Sequence, residues 1–243
     1  MNIYSNPQLY DAIHQYHKWD LNLIRSIANN FDGPVLELAS GTGRLSQGII
    51  ELGLDYTGLD LSKSFLETAK KQFGHNARFI LGDMRAFNIG GKFDFIFIGF
   101  NSFLHNLTIK DAKNCLECIN SHLSNHGCFL LSIFMPDPIF LYREEDKSYP
   151  ATDYFKFENS RCRIMEKNRY NPQTQINELR WFVERDGQIS SEEYHFSMRM
   201  FYPHEMDIIL SESGFIIKNK IGDYDGSPMD KDSGMQIYVC KKY

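Results

Sequence analysis

The run Val35-Leu36-Glu37-Leu38-Ala39-Ser40-Gly41-Thr42-Gly43-Arg44 joins an apolar strand signal to a glycine-rich turn, and a helical pattern through Leu45, Ile49, Ile50 and Leu52 follows. A turn in that position is where a doubly wound sheet binds its ligand, since glycine admits positive φ and lets backbone approach without a Cβ. The third position of a GxGxxG pattern holds Ser46 instead, which counts against a nicotinamide or flavin ligand. Asp60 closes the next strand signal, 19 residues after Gly41. A carboxylate there can accept hydrogen bonds from both hydroxyls of an adenosine ribose; its plainer role is to cap the following helix. Leu81-Gly82-Asp83-Met84 ends a third strand with an acceptor for an adenine amino group and a polarizable side chain for the ring face. A fourth strand ends in Gly99-Phe100-Asn101-Ser102-Phe103-Leu104-His105. Each segment is weak alone. Four in order, at the carboxyl ends of consecutive strands, describe a nucleotide cradle.

The elements that must position these residues follow from hydrophobic spacing. Leu9, Ile13, Tyr16, Trp19, Leu23 and Ile27 predict one helix over 8–29, ended by Gly33-Pro34. Strands are expected at 35–38, 56–61, 77–81, 93–100 and 128–134, with helices between them; Ser62 or Ser64 caps the one carrying Phe65, Leu66 and Ala69. Short, nearly continuous apolar strands alternating with helices make an α/β fold, a doubly wound and mostly parallel sheet covered on both faces. After Pro136 and Pro138 the pattern changes to extended runs near 154–157, 162–169, 176–183 and 193–200. Asn171-Pro172 and Asp186-Gly187 are turn signals, so this stretch is an inserted antiparallel sheet. Pro203 starts a helix that Gly214 stops, and Phe215–Lys218 and Gln236–Cys240 supply the last strands. Between them, 222–234 reads as a mobile loop, and the charged run 143–147 as a solvated one. The division expected is a core of 1–135 and 203–243 with an inserted subdomain of 136–202.

The chain has 243 residues with 26 basic and 31 acidic side chains, and this acidic balance argues against a nucleic-acid partner held by phosphate contacts. No apolar run approaches the length of a membrane span, and a cytoplasmic setting suits five scattered cysteines. Cys115 and Cys118 lie within a helical pattern and read as packed thiols rather than a metal site; His14 and His17 are weak metal candidates. Aromatic residues reach 14%, and Phe93, Phe95 and Phe97 account for part of that as core.

The ordered motifs resemble those of class I S-adenosylmethionine-dependent methyltransferases over nearly the whole chain. The acid-x-x-x-Gly-x-Gly pattern (Glu37, Gly41, Gly43), the Gly-x-Asp-x-Ser strand end and the Gly-Asp-Met run carry the likeness. The β-rich insertion followed by Arg199-Met200-Phe201-Tyr202-Pro203 resembles the small-molecule branch that includes sugar N,N-dimethyltransferases. The resemblance implies a seven-stranded Rossmann-like sheet closed by an antiparallel last strand. It implies that the first loop, with Glu37, Ala39, Ser40, Gly41 and Gly43, contacts the methionine part of the cofactor. Asp60 and Leu61 would meet the ribose, Asp83, Met84 and Arg85 the adenine, and Phe100, Asn101 and Ser102 would line the same site. It implies also that the N-terminal helix lies over the cofactor, with Tyr10, Tyr16 and Trp19 as an aromatic lid suited to a sulfonium. The absence of an Asn-Pro-Pro-Tyr or Asp-Pro-Pro-Tyr run after the fourth strand argues against amino-methyltransferases of DNA bases or glutamine amides.

Methyl transfer is an in-line displacement, so the protein mainly aligns the groups and removes a proton where the acceptor requires it; no metal is needed. His105 is the candidate general base, because an unperturbed imidazole titrates near pH 6.5. A plain loop histidine is the alternative. Tyr202 and Tyr224 are candidate acceptor contacts. The expected reaction is methylation of an oxygen or nitrogen of a small molecule by a monomer or homodimer, with no membrane partner. A non-catalytic S-adenosylmethionine-binding protein and a nicotinamide-dependent oxidoreductase remain the competing readings.

Overall fold

The computed structural model describes residues 1–243. In chain order it forms α1 (Pro7–His14), α2 (Trp19–Ala28), β1 (Val35–Leu38), α3 (Ser46–Ile50), β2 (Tyr56–Asp60), α4 (Lys63–Phe73) and β3 (Arg78–Leu81). There follow β4 (Phe93–Ile98), α5 (Ile109–His122), β5 (Leu123–Phe134) and α6 (Pro138–Leu141). Then come β6 (Tyr149–Pro150), β7 (Phe155–Phe157), β8 (Ser160–Asn171), β9 (Ile176–Arg185) and β10 (Gln188–Arg199). The chain closes with α7 (Pro203–Glu212), β11 (Phe215–Ile221) and β12 (Met235–Lys242). No helix is long and apolar enough to cross a membrane.

Two compact units result, one of 18–135 with 201–243 and one of 1–17 with 136–200. The first holds a seven-stranded sheet in the order β11-β12-β5-β4-β1-β2-β3. β1 to β5 pair in parallel, while β12 runs antiparallel to both β5 and β11. Every residue of β1 and β2 is buried, as expected of strands covered on both faces. One face carries Val35, Tyr56, Phe95, Phe97 and Leu130 against Ile24 and Ala28 of α2, Ile49 of α3 and Leu66 and Ala69 of α4. Ser62 caps α4, its hydroxyl accepting from the Phe65 N–H. Two expectations change here. The fourth strand stops at Ile98, and the 222–234 loop is not loose: Gly222 donates to the Ser227 carbonyl and Met229 to that of Lys220.

The second unit is an antiparallel sheet ordered β10-β9-β8-β6, with β7 also paired to β8. Asp186 and Gly187 have φ of 46° and 85°, the left-handed pair that a two-residue hairpin turn requires. Glu158 and Asn159 build the same turn between β7 and β8, a hairpin the sequence reading missed for want of a glycine. Asn171 turns the chain between β8 and β9 by accepting from the Gln173 and Thr174 N–H groups. Replacing Gly187 with alanine forces a Cβ into the left-handed region. A loss of about 1–2 kcal/mol is expected in urea unfolding, and an unchanged midpoint would refute the turn assignment.

The N-terminal segment corrects two expectations. The predicted helix over 8–29 is two helices, broken at 15–18 where His17 N–H bonds the His14 carbonyl and the two imidazoles meet Nδ1 to Nδ1 at 3.0 Å. The segment also belongs with the inserted sheet rather than the core. Ile3, Leu9 and Ile13 bury against Phe155, Ile164, Val183 and Tyr194, which completes an apolar face the sheet alone would expose.

The charged run 143–147 is likewise not uniformly solvated. The Arg143 guanidinium donates to Glu166 and to Asn168, and lies between the rings of Phe140 at 4.7 Å and Tyr149 at 4.6 Å. Glu166 accepts a further bond of 2.6 Å from the Trp181 indole, and Asn168 donates to Asn177. A buried carboxylate on the sheet face requires such a cation, which draws this one side chain inward while Glu144, Glu145, Asp146 and Lys147 stay exposed.

Candidate functional site

The loop after β1 is folded by its own backbone. Ala39, Gly41 and Gly43 have φ of 57°, 59° and 89°. Gly43 N–H bonds the Ser40 carbonyl, and the wholly buried Ser46 returns its hydroxyl to the Gly43 carbonyl at 2.6 Å. Ser46 thus locks the turn where a third glycine was looked for. A Cβ on Gly43 would meet Phe73 and Ser46 at 3.0 Å, so glycine is required there by both conformation and space. Over Gly41 the nearest atom to such a Cβ is Phe65 at 3.7 Å, leaving that side of the turn open to a ligand.

Asp60 neither caps α4 nor stands idle. One carboxylate oxygen accepts from the Gly41 N–H at 2.8 Å, the other from the Ser62 N–H at 2.7 Å. It ties the glycine loop to the end of β2, and the Leu61 N–H adds a third backbone bond to the carboxylate. Burial raises its pKa against the pull of those N–H groups. Glu37, on β1, is buried to 4% exposure and accepts a 2.5 Å bond from the Tyr56 hydroxyl. Burial pushes it up to about 8; the Tyr56 donor and the Arg44 charge pull the other way. Asp83 is bracketed by Arg85, whose Nε and Nη2 approach to between 2.6 and 3.1 Å, and these bonds hold it below its ordinary range.

The end of β4 turns sharply. Phe100 and Asn101 are consecutive left-handed residues, φ 53° and 65°. Two such non-glycine residues carry strain that the surroundings must hold. Asn101 accepts from the Phe134 N–H at 2.7 Å, and the Arg44 guanidinium lies 5.0 Å from the Phe100 ring centre. Arg44 in turn pairs with Asp20 of α2 through bonds of 2.8 and 2.5 Å, and Asp20 is 1% exposed. Tyr224 is buried and shares a 3.0 Å bond with Ser132 of β5. Asp20, Arg44 and Ser132 are the residues that sequence reasoning did not place in the site. Arg44 stood in the quoted loop motif, but nothing in the spacing identified its partner.

Ala39, Ser40, Gly41, Gly43, Asp60, Phe100 and Asn101 are therefore brought to one edge of one sheet, with Ser102 opening the short helical turn that ends at the half-buried His105. Leu61 stands exposed beyond Asp60, and Met84 is half-buried beside Asp83. Trp19 opens α2 and is half-exposed. Tyr10 and Tyr16 fall in the other unit, so the three aromatics do not form the single helical stripe expected. Tyr10 packs edge-on to His14 at 4.4 Å, and Tyr16 is exposed. Tyr202 precedes α7 and is exposed.

Residues 35–127, which run from β1 through this edge to the start of β5, match the family described as the methyltransferase domain. Among curated proteins, YqeM of Bacillus subtilis (strain 168) is 28% identical over 145 residues, which is 55% of this chain and 58% of that protein. The chain thus spans just over half the length of that relative. The fold matches solved structures at low identity. CcbJ methyltransferase from Streptomyces caelestis gives a TM-score of 0.77 at 19% identity, over 93% of this chain and 94% of that one. CalS10 from Micromonospora echinaspora, an amino pentose methyltransferase solved with S-adenosylmethionine bound, gives 0.72 at 19% identity over 97% of each.

Proposed function

We propose that this chain transfers a methyl group from S-adenosylmethionine to an oxygen or nitrogen of a small molecule. The observation that carries the reading is the methyltransferase domain whose strand ends present the loop, Asp60 and Asp83 in the order the cofactor's parts require. The open side of Gly41 and the Asp60 carboxylate at the end of β2 fit a ligand bearing a ribose. When bound, S-adenosylmethionine supplies a methyl group on a sulfonium leaving group. The chain does the rest by position. The loop from Ala39 to Gly43 holds the methionine part, Asp60 takes the ribose hydroxyls, and Asp83 with Met84 receives the adenine. His105 accepts the acceptor's proton, and Tyr202 and Tyr224 border the acceptor side. An amino sugar is the acceptor class favoured, by likeness to the fold of an amino pentose methyltransferase. A cytoplasmic setting accords with five free thiols.

Calorimetry with S-adenosylmethionine and S-adenosylhomocysteine tests the reading; no binding of either at millimolar concentration would sink it. Methyl transfer from labelled S-adenosylmethionine to a panel of amino sugars tests the acceptor class. On whichever acceptor turns over, His105→Ala is expected to lower kcat on the order of a hundredfold or more, with cofactor affinity held within twofold. An unchanged kcat removes His105 as the base.

A further inference from the structure

Three carboxyl groups and one guanidinium gather at the carboxyl ends of β1 and β2, and their partners divide unequally. Arg44 is committed to Asp20, which it meets through two parallel bonds. Asp60 is met by three backbone N–H groups, those of Gly41, Leu61 and Ser62. Glu37 is met by a neutral phenol, Tyr56, and the one cation whose charge acts on it, Arg44, is bonded to Asp20 instead. The charged and titratable groups around it are Asp20 from α2, Arg44 from the loop, and Tyr56 and Asp60 from β2. A carboxylate buried without a countercharge is costly, and binding a proton removes that cost. Burial pushes Glu37 up to about 8 against the pull of the Tyr56 donor and the Arg44 charge, and Asp20 and Asp60 add a smaller push.

We propose that this cradle takes up its cationic cofactor with release of the Glu37 proton, so that one buried carboxyl makes cofactor affinity depend on pH. The inference rests on the S-adenosylmethionine reading, because the missing countercharge is that cofactor's sulfonium and ammonium. The proton passes from the Glu37 carboxyl to the buffer, the carboxylate keeps the Tyr56 bond, and no other bond changes. The sign follows. In the free protein Glu37 is protonated at neutral pH, and a bound cation favours the carboxylate. Raising the pH toward 8 therefore removes a proton that binding would otherwise have to expel, and affinity rises by up to tenfold per pH unit.

The test is calorimetric titration of the full chain with S-adenosylmethionine at pH 7, in buffers of different ionisation enthalpy, and then across pH 6 to 7. The expected result is release approaching one proton per site and a rise in affinity close to tenfold over that unit. The cofactor's own amino group is mostly protonated there and any contribution from it is uptake, so release points to the protein. Glu37→Gln is expected to abolish both effects. Tyr56→Phe, a second variant should Glu37→Gln fail to fold, removes a donor to the carboxylate and moves the affinity profile to higher pH. Binding with the same heat in every buffer and a flat profile overturns the proposal while leaving the cofactor reading intact. Absence of any binding overturns the cofactor reading and this one with it. A profile unmoved in Tyr56→Phe removes Glu37 as the titrating group.

Discussion

Replacing Arg44 with methionine is expected to lower the unfolding free energy by about 3–5 kcal/mol, the cost of leaving one member of a buried ion pair without the other. Asp20 is the member that suffers, because it is almost wholly buried while Arg44 keeps a partly exposed edge. The loss extends beyond the pair. Arg44 also lies against Phe100, whose left-handed backbone is strained, so the turn after β4 loses one of its supports. The check is urea denaturation followed by circular dichroism, with Asp20→Asn added on the same background. Removing the buried charge as well should restore most of the lost stability. A single variant that loses less than about 1 kcal/mol, or a double variant no better than the single, would show that the pair is not what holds this corner.

Asp60→Ala is expected to reduce S-adenosylhomocysteine affinity on the order of a hundredfold or more. Two causes act together. The proposed ribose acceptor is gone, and the Gly41 and Ser62 N–H groups lose a charged acceptor worth about 1.5–3 kcal/mol each. The glycine loop then has one less tie to β2. Asp60→Asn separates these causes. Its single carbonyl oxygen can satisfy one N–H while its amide group faces the other, so affinity is expected between wild type and Asp60→Ala. Calorimetry gives the affinities, and scanning calorimetry the stability of each variant without ligand. Wild-type affinity in Asp60→Ala would remove Asp60 from the site altogether.

Much of the core was legible because its signals are local. The apolar strands, the glycine turn and the Ser62 cap depend on residues within a few positions of one another, and Asp186-Gly187 states its hairpin in two letters. What was illegible depends on partners distant in sequence. Asp20 finds Arg44 across 24 residues, and Asn101 finds the Phe134 N–H across 33. No periodicity encodes either meeting. Arg143 was misread for the same reason, since a run of five charged or polar residues looks uniformly solvated until Glu166 is placed beneath one of them. The break at 15–18 was hidden because the apolar spacing continues across it in register, although the two sides belong to different units.

The union of residues 1–17 with 136–200 sets an order of events during synthesis. Leu9 and Ile13 emerge from the ribosome long before Val183 and Tyr194, the side chains they cluster with, have been made. At about 5–20 residues per second, that delay is roughly ten to forty seconds. During it α1, only two turns long, has no apolar surface of its own unit to dock on, and a helix that short is marginal alone in water. The core's five parallel strands are complete by residue 134, so their pairing can proceed while the N-terminal segment still waits. This segment is accordingly where a nascent chain is most open to chaperones or to proteolysis, although it is made well before the rest of its own unit.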